Sequence, residues 1–119
     1  MANSRVSEER GEFVVIDTAP EAGGYWTNAI TPFNKRKEKD TGLYLNIAET
    51  GELSASLSAT MTLQWRLKID GTYTEWQVYD TYTAITNKVI DDFSANKQWR
   101  AGVDNGDFTS GQVTIGFNW

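Results

Sequence analysis

The sequence predicts an all-β fold: an antiparallel two-sheet β-sandwich of jelly-roll or Ig-like type, preceded by an extended N-terminal arm. Three observations predict it. Every odd position from Leu53 to Ile69 is apolar, while the even positions carry Ser, Thr, Gln, Arg, Lys and Asp. That period of two gives a strand one dry and one wet face, and it would scatter apolar residues around every side of a helix. Turn signals recur along the chain at the spacing of about 8–12 residues expected of a sandwich. No segment shows helical periodicity. With 119 residues there is room for one domain and one core.

Taken in order, residues 1–12 are polar and charged, with Val6 the one sizeable apolar side chain beyond Met1, and they read as the arm. Residues 13–119 form the single sandwich domain. Phe13-Val14-Val15-Ile16 is a dense, β-branched run expected to be covered on both faces. Pro20 to Gly24 is a turn, Tyr25 to Ile30 a second strand, and Pro32 closes it. Asn34 to Asp40 is a solvated loop. Leu43, Leu45 and Ile47 alternate, and Gly51 marks a turn. The ladder from Leu53 to Ile69 exceeds the usual strand length of about 3–10 residues, so a break or bend is expected near Ser58 to Thr60. Asp70-Gly71 signals a hairpin. Beyond it Trp76 and Val78 share one face and Tyr73, Glu75, Gln77 and Tyr79 the other. Val89-Ile90 is a short apolar element. Trp99, Ala101 and Val103 alternate again, Asn105-Gly106 is a second turn signal, and Val113, Ile115, Phe117 and Trp119 line one face of a final strand.

Composition narrows the function. Hydrophobic residues at 39%, with five Trp, can fill a sandwich interior and exclude a fully disordered chain. A formal charge of −5 argues against general nucleic-acid binding, which needs a positive surface. No run approaches the roughly 18 apolar residues that span a bilayer, and the N-terminus lacks the apolar core of a secretory signal. Neither nucleic acid nor membrane is therefore expected as a partner. The chain has no His and no Cys, which removes the commonest general base, thiolate nucleophiles and thiolate zinc sites. The carboxylate pairs Glu8-Glu9, Asp91-Asp92 and Asp104/Asp107 fall in the arm or in turns, so no enzymatic role and no cofactor is expected.

Four features could carry binding. The arm offers Ser4, Arg5, Val6, Glu8, Glu9 and Arg10 to a partner. Lys35, Arg36, Lys37 and Lys39 form a basic cluster that could dock on an acidic surface, though Glu38 and Asp40 moderate it and an ordinary solvated loop explains it as well. Asp104-Asn105-Gly106-Asp107 could offer oxygen ligands to Ca²⁺, but it lacks the spacing of an EF-hand loop and a tight turn accounts for it. Tyr73, Tyr79 and Tyr82 could form an aromatic platform for sugar rings, with Glu75 and Gln77 as hydrogen-bonding groups; cross-strand packing is the plainer reading.

Residues 43–119 carry a run of strand and turn signatures: Thr62-Leu63-Gln64-Trp65-Arg66, Asp70-Gly71, Trp76, Tyr82-Thr83-Ala84, Val89-Ile90, Trp99-Arg100-Ala101-Gly102-Val103, and Gly106 to Val113. The run resembles small β-sandwich structural and accessory proteins of tailed bacteriophage virions, of the capsid decoration or cement type. The resemblance implies a non-enzymatic virion protein, made in the host cytoplasm and carried on the capsid surface. Its expected partners are the major capsid protein or another virion protein and further copies of itself, as in a trimer. A polar arm that orders on binding would clamp a neighbouring subunit. A tail or neck component, or a glycan-binding module on the virion surface, are the alternatives.

Overall fold

The computed structural model describes residues 3–9, 11–31, 43–49, 57–90 and 96–119. The basic cluster Lys35, Arg36, Lys37 and Lys39, the first part of the alternating ladder, Arg10 and the Asp91-Asp92 pair lie outside the described residues.

Twelve strands and no helix occur among those residues: β1 (Ser4–Glu8), β2 (Gly11–Ile16), β3 (Tyr25–Trp26), β4 (Leu43–Glu49), β5 (Ser58–Ala59), β6 (Met61–Ile69), β7 (Thr72–Tyr73), β8 (Gln77–Tyr82), β9 (Thr86–Ile90), β10 (Lys97–Val103), β11 (Phe108–Ser110) and β12 (Val113–Asn118). One sheet has the order β1-β2-β12-β4-β9. A second has β3-β10-β6-β7 with β8 also pairing β6, and β11 pairs β5 in a short two-stranded ribbon. Every pairing is antiparallel.

The alternation holds on the inward side of the described ladder through Leu63; beyond it Trp65 and Leu67 are half-buried and Ile69 is exposed, where β6 runs past the core. Val14 and Ile16, Leu43, Leu45 and Ile47, Ile90, and Val113, Ile115 and Phe117 come from the first sheet. Met61, Leu63, Trp99, Ala101 and Val103 come from the second, and all of them join one buried cluster. Each large aliphatic side chain taken wholly from water stabilises the fold by about 1.5–3 kcal/mol. Trp99 is the largest fully buried side chain, and its ring makes a T-shaped contact with Tyr79, the centroids 5.1 Å apart. Trp119 is half-buried against this core. Phe13 and Val15, expected to be covered, are half-buried on the outer side of β2.

The long ladder does break, at Thr60, whose N–H donates to Asp107 O at 2.8 Å and so ties the break to the β10–β11 turn. Asp70 and Gly71 both have positive φ, 52° and 80°. They close a two-residue hairpin between β6 and β7, with Ile69 opposite Thr72, the turn geometry that matches strand twist. Asn105-Gly106 also makes a tight turn, with Asp107 N–H on Asp104 O at 3.1 Å. It is not a hairpin, because β11 leaves β10 to pair with β5.

Two expectations need correction. The segment read as an arm is β1, zipped along β2 from Ser4 opposite Val15 to Glu8 opposite Gly11, so the expected arm boundary at residue 12 falls inside β2. The even face of β6 is not simply wet: Thr62 and Gln64 are buried, because a layer of aromatic and arginine side chains lies over that face.

Candidate functional site

That layer is built from cross-strand geometry. On β6 and β10, Arg66 stands opposite Gln98 and Gln64 opposite Arg100. Each pair is closed by a hydrogen bond: Arg66 Nε donates to Gln98 Oε1 at 3.0 Å and Arg100 Nε to Gln64 Oε1 at 2.7 Å. The guanidinium planes are thereby fixed. Trp76, in the loop between β7 and β8, places its ring centroid 4.4 Å from both Arg66 Cζ and Arg100 Cζ. Tyr73 caps Arg66 at 4.1 Å and Trp26 caps Arg100 at 4.2 Å. The result is a five-membered stack, Tyr73, Arg66, Trp76, Arg100 and Trp26, running across four strands and a loop. Burial, followed by the neighbouring Arg66 cation, pulls the Arg100 guanidinium below its ordinary value, against the opposing pull of the Asp104 carboxylate. Such contacts contribute about 0.5–2 kcal/mol each, and the stack ties the β7–β8 loop to the sheet.

At the other margin, β1 is exposed at every residue and forms the outer edge of the first sheet. Its odd side chains are already used. Arg5 Nε donates to Trp26 O at 2.8 Å and its Cζ lies 4.8 Å from the Tyr25 ring centroid. Ser7 donates to Glu12 Oε1 at 2.7 Å. Glu12 is itself buried, and its other oxygen accepts from Asn28 N–H at 3.2 Å. Asn3 Oδ1 accepts from the N–H groups of Asp17 and Thr18, both at 3.0 Å. Ser4, Val6 and Glu8 fall on the opposite side, with Val6 39% exposed opposite Phe13. Of the expected contact residues, then, Ser4, Val6 and Glu8 share one outward row, Glu9 is exposed at the turn that follows, and Arg5 is committed inward.

The other candidates separate. Tyr73 belongs to the arginine stack and Tyr79 packs on Trp99. Tyr82 is half-buried, and its hydroxyl is enclosed beside the Asp80 side chain. Burial, with the nearby Asp80 carboxylate adding to it, pushes the Tyr82 phenol up to about 12. A bulge shifts the register where Leu63 faces Asp80 and Gln64 faces Val78, so Tyr79 and Tyr82 do not share a platform with Tyr73. Trp76 and Val78 do share a face, the outer one. At the Asp104–Asp107 turn the Asp104 carboxylate serves the turn itself, its Oδ1 accepting from Asn105 N–H at 2.8 Å. Among the described residues no group of three or more His, Cys, Asp or Glu gathers to hold a metal.

Sequence reasoning missed the arginine stack, and one signal could have found it: two Arg–Gln pairs at even positions on strands that both alternate. No protein-family model, no curated protein and no solved structure matches the chain.

Proposed function

We propose that the chain is a two-sheet β-sandwich that works as a non-enzymatic structural protein of a tailed phage particle, a capsid decoration protein bound to the major capsid protein. The sandwich reading is supported by two five-stranded sheets that send alternate side chains into one core. The observation that carries the binding reading is β1. Its inner side is bonded to β2, its side chains are exposed, and among the described residues its other edge pairs with no strand. An open edge of this kind accepts an added strand from a partner, with main-chain hydrogen bonds supplying affinity and alternate side chains specificity. Val6 is the apolar contact on that row, flanked by Ser4 and Glu8. The resemblance of residues 43–119 to virion accessory proteins supplies the setting, and self-association on the particle, as a trimer, goes with it.

Quantitative mass spectrometry of particles made by the genome that encodes the chain tests the setting. A shell protein is present at on the order of hundreds of copies, in step with shell symmetry; a dozen or fewer would move it to the tail or neck, and absence would end the reading. Rebinding to stripped particles tests β1. Val6→Asp should abolish rebinding while leaving the melting transition in place, and undiminished rebinding would remove β1 as the contact.

A further inference from the structure

The outer face of the first sheet carries a second constructed surface, independent of β1 and of the phage reading. Asn is disfavoured in strands, yet Asn118 on β12, Asn46 on β4 and Asn87 on β9 stand together on three adjacent strands. Asn46 is directly opposite Asn87, and Asn118 is one row away, opposite Tyr44. Their amides form a chain: Asn118 Nδ2 donates to Asn46 Oδ1, and Asn46 Nδ2 donates to Asn87 Oδ1 at 2.9 Å. A chain of three amides joined by two such bonds leaves an acceptor oxygen at one end and a donor NH₂ at the other, whichever way it runs. Among the described residues, Asn118 Oδ1 and Asn87 Nδ2 have no protein partner.

The next row on the same face is apolar. Tyr44 lies opposite Val89, and they remain 41% and 59% exposed. Tyr44, Val89, the three Asn and Lys88 line a depression of about 220 Å³. That is below the roughly 300–1,000 Å³ of pockets for drug-sized ligands, so it suits a ligand of one ring. The amides span two strand spacings, about 9–10 Å.

We propose that this depression binds a neutral pyranose sugar. A pyranose has an apolar C–H face that can lie on Tyr44 and Val89. Its rim of hydroxyls both donates and accepts, which is what the two ends of the amide chain require. The central amide, held by bonds on both sides, is fixed in orientation before the ligand arrives, so little side-chain entropy is lost on binding. The protein's net charge of −5 favours a neutral sugar over an acidic one.

The test is a ¹H–¹⁵N titration of the full chain with a panel of neutral monosaccharides, each to about 100 mM, which would detect a Kd on the order of 1–10 mM. At least one sugar should shift the side-chain NH₂ signals of Asn46, Asn87 and Asn118 and the backbone signals of Tyr44 and Val89. Tyr44→Ala should weaken that sugar at least about tenfold while leaving the melting temperature within a few degrees, since the ring is exposed. Asn46→Ala, which cuts the amide chain, should abolish the shifts. No shift with any sugar, shifts confined to the Tyr73 face, or unchanged affinity in Tyr44→Ala would each overturn the proposal. An amide chain that only ties strands together would lower stability in Asn46→Ala with no sugar response in the parent protein.

Discussion

Gly116 lies opposite Phe13 where β12 passes β2. A Cβ built there would come within 2.1 Å of Glu12 O and 2.6 Å of Phe13 Cα, both backbone atoms that cannot swing aside. Gly116→Ala must therefore splay two central strands, and a loss of about 3 kcal/mol is expected from overpacking of this kind. Gly71→Ala meets no atom within 4 Å and pays only for its positive φ, about 1 kcal/mol. Urea denaturation of the two variants should rank them in that order; equal losses would show that the strands can separate locally. Tyr82 gives a pH signature. Its phenol is raised from 10.0 to about 12, so the folded state favours the neutral ring. That stability is fully present below pH 10 and is lost as the pH rises from 10 through about 12. Alkaline unfolding should be shallower in Tyr82→Phe, and identical profiles would mean the hydroxyl is solvated. Neither residue could be read from sequence, where Gly116 is one more strand position and Tyr82 one of five similar rings.

The arginine stack shows where strand periodicity stops informing. Alternation correctly sends Met61 and Leu63 inward, and it correctly places Arg66 and Gln64 on the other face. It does not say that this face is covered, because the covering ring, Trp76, comes from a loop with no periodicity of its own. The loop is placed by the Asp70-Gly71 hairpin, which was legible, and by the hydrogen bond from Thr74 N–H to Leu67 O at 2.8 Å, which was not. Trp76→Ala removes the shared ring from between two guanidiniums and leaves them facing each other. A loss of about 2 kcal/mol is expected, with Trp76→Phe recovering part of it and Arg66→Lys behaving poorly because an ammonium lacks the planar face. A double-mutant cycle between Arg66 and Trp76 measures the coupling; a value below about 0.3 kcal/mol would mean that the stack is a crowding of neighbours without mutual stabilisation.

Strand order is the least legible level, for a physical reason. Alternation fixes which side chains face inward, but pairing partners are chosen by long-range packing that no local pattern encodes. The first sheet joins β2, near the start of the chain, to β12, near its end, and then inserts β4 beside β12. The N-terminal segment looked like an arm because its composition is polar, whereas a polar edge strand has the same composition. The first and last strands of the chain, one at the edge of this sheet and one at its centre, should therefore respond unequally to truncation. Removing residues 1–9 deletes a strand that buries little and is anchored through Asn3, Arg5 and Ser7. At about 1 kcal/mol for each net hydrogen-bonded anchor, stability should fall by about 2–3 kcal/mol while unfolding stays cooperative. The bared β2 edge should raise the tendency to associate. Removing residues 113–119 deletes the strand that pairs β2 on one side and β4 on the other and takes Val113, Ile115 and Phe117 out of the core. At about 1.5–3 kcal/mol for each buried side chain, that loss is comparable to the roughly 5–15 kcal/mol on which a domain stands, so no cooperative melt should remain. Circular dichroism melts of the two truncations decide it: a cooperative transition in the shorter C-terminal form would mean that the second sheet folds without the first, and that the two sheets do not depend on one shared core.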